Sequence, residues 1–266
     1  FMSGFNKDWL ALREPVDMRA RAKPLVQQLS QHLDGFERPQ ILDIGCGTGS
    51  TWRSLAHRFP AHSKWQLLDY DPLLLKEAER RIGDQQDVSF RQFDLNEIDT
   101  LPLTEVSVVT ASALFDLCSA EFCDHFAKTL AGSKTGLYAA LNYDGVMEWS
   151  VAHPLDEQVA KDFNQHQHFD KGFGPALGPD ATAHLKQAFE RLGYAVSVAT
   201  SPWVMGPDDG DLQAAFLKGL EQPLSEIGSL TSLQIRDWLD FRLAKIAEAG
   251  NSCVVGHSDI LALPRH

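Results

Sequence analysis

Ile41-Leu42-Asp43-Ile44-Gly45-Cys46-Gly47-Thr48-Gly49-Ser50 is the stretch from which the rest of this chain is read. It opens as a short apolar run just after Pro39, the pattern of a buried strand. It closes on three glycines at alternate positions. A helical pattern follows at once, with Trp52, Leu55, Ala56 and Phe59 at i, i+3, i+4 and i+7. Strand, glycine turn and helix make the opening of a βαβ unit. Backbone without side chains can approach a ligand where any Cβ would clash. The helix that follows aims its first amides into the crevice above the strand.

A dinucleotide fingerprint would read G-x-G-x-x-G, with its third glycine packing helix on strand. Here the spacing is G-x-G-x-G, Ser50 stands at the dinucleotide-type third position, and an acidic residue, Asp43, lies inside the strand. The string from Leu42 to Gly49 closely resembles motif I of the class I S-adenosylmethionine-dependent methyltransferases. The plain alternative is a tight strand-helix turn without a ligand. The resemblance implies an α/β, Rossmann-like, doubly wound and mostly parallel seven-stranded sheet with an antiparallel last strand. It covers roughly residues 38 to 142, 180 to 200 and 252 to 264. Residues 1–37 then read as an N-terminal helical cap, and 145–179 and 206–250 as two insertions, all within one domain spanning 1–266.

The pattern downstream keeps alternating. Trp65 to Asp69 reads as a second strand ending in Asp69-Tyr70-Asp71-Pro72, where Asp71 suits an N-cap and Pro72 the first helical position. Asp69 falls about 20 residues past the glycine turn, where a Rossmann-like site holds ribose hydroxyls. Val88 to Phe93 and Val106 to Ala113 read as the third and fourth strands, and Leu137 to Leu141 as the fifth. The resemblance implies that Asp43, Gly45, Cys46, Gly47, Gly49, Asp69, Tyr70, Asp94, Leu95 and Ser112 surround S-adenosyl-L-methionine. Asp94 would accept from the adenine amino group. In many class I enzymes an N-terminal helix covers the cofactor, so Arg19 or Arg21 could pair with its carboxylate. A solvated helix joint is the bland reading of that charged stretch, and Pro15 and Pro24 should split it into two or three short helices.

From Val146 to Pro179 the periodicity fails, as in a long functional connection. His166 or His168 could act as a base oriented by Asp170, and Tyr143 is a further catalytic candidate. Asn142, Asp144, Asp170, Lys171 and Trp203 are candidates for contact with the substrate, Lys171 through an anionic group. These polar groups could equally pin the segment to its own backbone. His166-x-His168-x-Asp170 would share one face of a strand, but methyl transfer needs no metal and none is expected. Asp180 reads as an N-cap, and residues 208 to 250 as two helices, the second opened by a Thr231-x-x-Gln234 capping box.

Composition narrows the partners. A net charge of −12 argues against a nucleic-acid backbone. Cys46, Cys118, Cys123 and Cys253 form no C-x-x-C pair and read as reduced, buried thiols of a cytoplasmic protein. No apolar run approaches a membrane span, no signal peptide is visible, and Phe1 ahead of Met2 suggests that Met2 is the natural start. The expectation is a methyltransferase, monomeric or homodimeric, acting at O, N or C of a small molecule. Alternatives are a methyltransferase of nucleic acid or protein, a non-catalytic binder of the cofactor and, more distantly, a nicotinamide dehydrogenase. The residues after the fourth strand, Ala113-Leu114-Phe115-Asp116, lack the Asn/Asp-Pro-Pro-Tyr/Phe motif of amino-methylating nucleic-acid enzymes.

Overall fold

The computed structural model describes residues 6–265. One mixed sheet is built from β1 Gln40–Ile44, β2 Lys64–Asp69, β3 Val88–Gln92, β4 Val108–Ser112, β5 Gly136–Trp149, β6 Tyr194–Thr200, β7 Trp203–Met205 and β8 Cys253–Pro264. The order is β3-β2-β1-β4-β5-β8-β6, with β7 also paired to β8. β1 to β5 run parallel, and β8 lies antiparallel to β5, β6 and β7. This is the expected mostly parallel sheet with its antiparallel last strand, plus a short eighth strand, β7, that follows β6 after Ser201-Pro202.

Alternation along the strands splits the apolar residues between two faces. Ile41, Trp65, Leu67, Val108 and Tyr138 pack under α2 Lys23–Leu33, α3 Ser50–Leu55 and α4 Pro72–Ile82. Leu42, Ile44, Leu68, Val109 and Leu137 pack under α5 Ala120–Gly132 and α7 Ala181–Arg191. Helices on both faces make the sheet doubly wound. A third apolar cluster lies beyond the carboxyl ends of the strands. It joins α1 Lys7–Ala20, α6 Asp156–Gln167, α8 Gly210–Gly219, α9 Glu221–Ile227 and α10 Ser232–Lys245 to the outer parts of β5, β7 and β8.

Several local expectations change. Pro15 lies inside α1 without ending it, whereas Pro24 sits in the first turn of α2. The stretch from Val146 to Pro179 is not one long loop, because β5 continues to Trp149 and α6 follows. The second insertion holds three helices rather than two, and its capping box at Thr231 and Gln234 opens α10. Asp71 caps α4 through Leu73 N as read, but the Asp180 side chain makes no cap bond to α7. No described helix is long and apolar enough to cross a membrane.

The long β5–β8 ribbon positions what matters for function. Its register shifts twice, between Ala139 and Asn142 and between Tyr143 and Met147. Leu141 has φ 58° and Gly145 φ 92°, so the ribbon bends at each shift and re-aims the side chains between them. The bend is tied down by the fully buried Asp259. Its Oδ1 accepts Leu141 N at 2.8 Å, and its Oδ2 accepts Tyr138 Oη at 2.8 Å and Ala22 N at 2.9 Å. One carboxylate thus fixes β5, β8 and the joint between α1 and α2. Asp259→Ala leaves three donors without a partner and should cost about 3 kcal/mol or more. A urea titration should show the midpoint falling with the slope unchanged.

Candidate active site

The glycine turn carries three left-handed residues, Gly45, Gly47 and Gly49, with φ of 58°, 54° and 84°. Gly49 is constrained twice, since a Cβ there would also lie 2.9 Å from Ile82 Cδ1 of α4. Gly49 therefore serves helix packing, while Gly45 and Gly47 line a cavity. Asp69, at the end of β2, accepts Gly47 N at 2.7 Å and Asp71 N at 2.9 Å. Burial raises its pKa above the usual carboxylate range, and the backbone amides of Asp71 and Gly47 draw it back down. Thr51 and Ser112 complete the polar wall, their hydroxyls 3.1 Å apart, and Ser112 Oγ also accepts from Arg21 Nη2 at 3.0 Å.

The roof is α1. Leu10 lies over the turn, 3.3 Å from where a Cβ on Gly47 would sit. Trp9, Arg13, Asp17 and Arg21 recur every four residues on one stripe of this segment, facing the site. Arg13 donates from Nε to Asp17 Oδ2 at 2.8 Å and from Nη2 to Asp17 Oδ1 at 3.3 Å. Trp203 Nε1 donates to the same Oδ1 at 2.7 Å, and the guanidinium lies 4.9 Å from the Trp203 ring centre. On its other side α1 is held by Glu14, which accepts from Arg53 Nε at 2.6 Å and from Arg81 Nη1 at 3.1 Å.

Beyond Arg13 lies a second cavity of about 290 Å³. Trp9 and Arg13 cover it, Phe163 and Gln167 of α6, Phe216 of α8 and Leu220 just after it wall it, and Trp203, Val255, His257 and Tyr143 form its floor. The floor follows from strand pairing. Trp203 is opposite Val255 and Tyr143 opposite His257, and side chains two apart on β8 share a face. The two cavities share Arg13, Ala113 and Leu117. Ala113 has φ 52°, a strained conformation for a residue with a Cβ, held where the fourth strand turns away.

Of the residues singled out from sequence, Gly45, Cys46, Gly47, Asp69 and Ser112 line the first cavity, and Tyr143 and Trp203 line the second. Others stand elsewhere. Arg19 is half exposed and bonded to Asp209 at 2.5 Å, and Arg13 is the guanidinium that faces both cavities. Asp43 is fully buried below the turn, bonded by Thr110 Oγ1 at 2.7 Å. Desolvation lifts its pKa to about 7 against the pull of Thr110 and Arg21. Tyr70 is exposed, Leu95 belongs to the core, and Asp94 spends Oδ1 on Asn96 N at 2.9 Å as the cap of a short helical turn.

The proposed histidine base is also displaced. His166 ends α6 against Glu226 at 2.6 Å, and His168 Nδ1 lies 3.1 Å from Ala176 O. Neither lines either of these two cavities, because the segment is helical where an extended strand would have set both on one face. Asp170 accepts Gly172 N at 2.7 Å and Gly174 N at 3.1 Å, so it pins its own turn. Lys171 sits 3.4 Å from His166, Asp144 accepts Val146 N, and Asn142 donates to Ala139 O and Ser258 O. Among the described residues no group of three or more His, Cys, Asp or Glu side chains could hold a metal ion.

Three ionisable chamber residues escaped the sequence reading: Arg13, Asp116 and His257. Arg13 was legible as part of the i, i+4 stripe, while Asp116 and His257 carry no local signal. His257 is 5% exposed, and its Nδ1 lies 3.0 Å from Val255 O. A carbonyl only accepts, so Nδ1 carries the proton and Nε2 keeps a lone pair. Burial and then the nearby Arg13 charge lower its pKa to about 4. The unfolded ring takes up its proton near pH 6.5, before the folded one does. The stability this contributes is therefore full above pH 6.5 and is lost as the pH falls toward 4. Ring-carbon NMR should show His257 neutral at pH 6 and titrating near pH 4.

Comparison with known proteins agrees with this geometry. Residues 41–132 match the family model described as a methyltransferase domain. Over 249 residues the chain is 25% identical to a trans-aconitate 2-methyltransferase of Afipia carboxidovorans, covering 91% of each. Over 130 residues it is 28% identical to a malonyl-[acyl-carrier protein] O-methyltransferase of Ilyobacter polytropus, which spans 48% of this chain and 44% of that one. In fold it resembles the YcgJ protein of Bacillus subtilis, with a TM-score of 0.51 at 11% identity, covering 92% of this chain and 100% of that one. The matched βα units centre on the glycine turn and the carboxylate beside it, and together with this strand order the similarity supports a class I S-adenosylmethionine-dependent methyltransferase.

Proposed function

We propose that this chain moves a methyl group from S-adenosyl-L-methionine to a small organic molecule bound in the aromatic chamber. The observation that carries the reading is the meeting of the two cavities at Arg13, Ala113 and Leu117. The cofactor's sulfonium supplies an already activated methyl group. What remains for the protein is alignment and the exclusion of water, and orientation alone can be worth about 7–11 kcal/mol.

The first cavity suits such a cofactor on three counts. The bare backbone at Gly45 and Gly47 allows close approach, the Asp69 carboxylate faces the space as an acceptor for ribose hydroxyls, and the hydroxyls of Thr51 and Ser112 line its wall as further hydrogen-bonding groups. Arg21 stands one hydrogen bond behind Ser112, with Nε and Nη1 buried and unpartnered. Those two unpaired N–H donors favour an acceptor group nearby.

Alignment falls to the seam. Ala113 presents only a methyl group there, so little side-chain bulk stands between the substrate cavity and the cofactor cavity. Exclusion of water falls to α1, α6 and α8, whose Trp9, Phe163 and Phe216 surround the second cavity. A chamber walled by three helices favours a small acceptor over a polymer. The names of the two relatives, one for aconitate and one for a malonyl group on a carrier protein, point the same way.

The test is calorimetric. S-adenosylhomocysteine should bind the wild type, and Asp69→Ala should weaken that binding by about 1–3 kcal/mol, the loss of a charged hydrogen bond. Unchanged affinity in the variant would remove Asp69 from the cofactor site, and failure of the wild type to bind would overturn the reading.

A further inference from the structure

The polar groups facing the chamber differ in one respect from a site built to receive an anion. Arg13 is its lone cation among the lining residues, and that charge is already matched by Asp17 in a two-bond pair. Against it stands Asp116, on the single helical turn Phe115–Leu117 just past the strained Ala113. Asp116 is 8% exposed, lines the chamber, and has a buried Oδ1 with no hydrogen-bond partner. An unpaired buried carboxylate oxygen is costly, and a ligand donor would satisfy it. His257, on the floor, presents a second acceptor in Nε2. Tyr143 adds no competing donor, because its hydroxyl already donates to Asn164 Oδ1 at 2.7 Å.

We propose that the chamber selects a methyl acceptor whose nucleophilic atom still carries hydrogen, a hydroxyl or an amine on an apolar body, and that Asp116 receives that proton. The inference rests on the methyltransferase reading and specifies its substrate class. In the step, the lone pair of the nucleophilic oxygen or nitrogen forms the bond to the methyl carbon. The carbon–sulfur electron pair returns to sulfur, leaving a neutral thioether. The O–H or N–H proton passes to the Asp116 carboxylate and from there to solvent. The turn that bears Asp116 also bears Leu117, which lines both cavities, so acceptor and methyl donor meet within one helical turn.

The setting tunes Asp116 for the task. Burial lifts its pKa to about 6, opposed by its own backbone amide, the Arg13 charge and the Tyr143 amide. A base in this range is ionised at neutral pH yet strong enough to take a proton in the transition state. The ionisable groups around it are Arg13 and Asp17 of α1, Tyr143 of β5, His257 of β8 and Cys118 next to its own turn. His257 is neutral above about pH 4 and the Cys118 thiol is pushed well above its usual range by burial, so neither changes charge near pH 6.

The experiment compares three probes of one shape, p-cresol, p-toluidine and p-toluate. Each is titrated into the full chain loaded with S-adenosylhomocysteine at pH 7.5. Cresol or toluidine should bind at least tenfold more tightly than toluate, and Asp116→Leu should abolish that preference. Preference for toluate, binding of none of the three, or an unchanged preference in the variant would overturn the proposal. If Asp116→Leu does not fold, Asp116→Asn is assayed instead with whichever probe is methylated. Its kcat should fall at least 100-fold with KM within threefold of wild type. The wild-type rise in rate through about pH 6 should vanish in that variant. An Asp116→Asn enzyme that keeps its rate and pH profile would overturn the base assignment. Wild type that fails to bind S-adenosylhomocysteine would refute the methyltransferase reading rather than this one.

Discussion

The ion pair between Arg13 and Asp17 is the constraint on which the site depends. It lies between two cavities and belongs to the roof of both. Its carboxylate is shared with Trp203 Nε1, so the same pair anchors α1 to the short strand that extends the sheet. Paired charges this well buried rarely add net stability, since desolvation offsets most of their attraction. Their value here is positional. They fix a guanidinium and two indole rings at the boundary where a methyl donor and its acceptor must meet, and they leave the chamber close to neutral on that side.

Around this pair the sheet does something a plain Rossmann-like core does not. β5 and β8 run on past the level of the glycine turn and bend at two register shifts. The bend converts the upper ribbon into a floor, with Tyr143, His257, Val255 and Trp203 on one face. Buried polar groups hold it there. Asp259 satisfies three donors, and Arg242, packed against Trp149 and Trp238, is paired with Asp156. A floor of strands with walls of helices is stiffer than a chamber made of loops, which suits a reaction governed by alignment.

The sequence showed the half of the site that is local and hid the half that is not. Gly45 and Gly47 follow the first strand and Asp69 ends the second, so strand period and turn chemistry located them. The chamber is assembled from residues more than 200 positions apart, Trp9 and His257 among them, and no periodicity links those. Arg19, like Arg21, is a candidate in sequence because an N-terminal helix covers the cofactor in many class I enzymes. With Pro15 accepted inside α1, the four-residue stripe Trp9, Arg13, Asp17, Arg21 takes the inward face and Arg19 turns to Asp209. The histidines at 166 and 168 drew notice by their number, but a helix points successive residues too far apart for both to share a site. Their ring nitrogens went to Glu226 and a backbone carbonyl instead.

A single roof over two cavities also couples them. Leu10, Arg13 and Asp17 of α1 face the glycine turn, while Trp9 and Arg13 face the chamber. Any shift of α1 that widens the first cavity also moves the wall of the second. The contacts that resist such a shift lie on both sides: Glu14 with Arg53 and Arg81 toward α3 and α4, and Asp17 with Trp203 toward β7. The Glu14 carboxylate is shared between the two guanidiniums of Arg53 and Arg81, so one acceptor ties α1 to both helices. The Asp17 side is sealed among aromatic rings and is expensive to open.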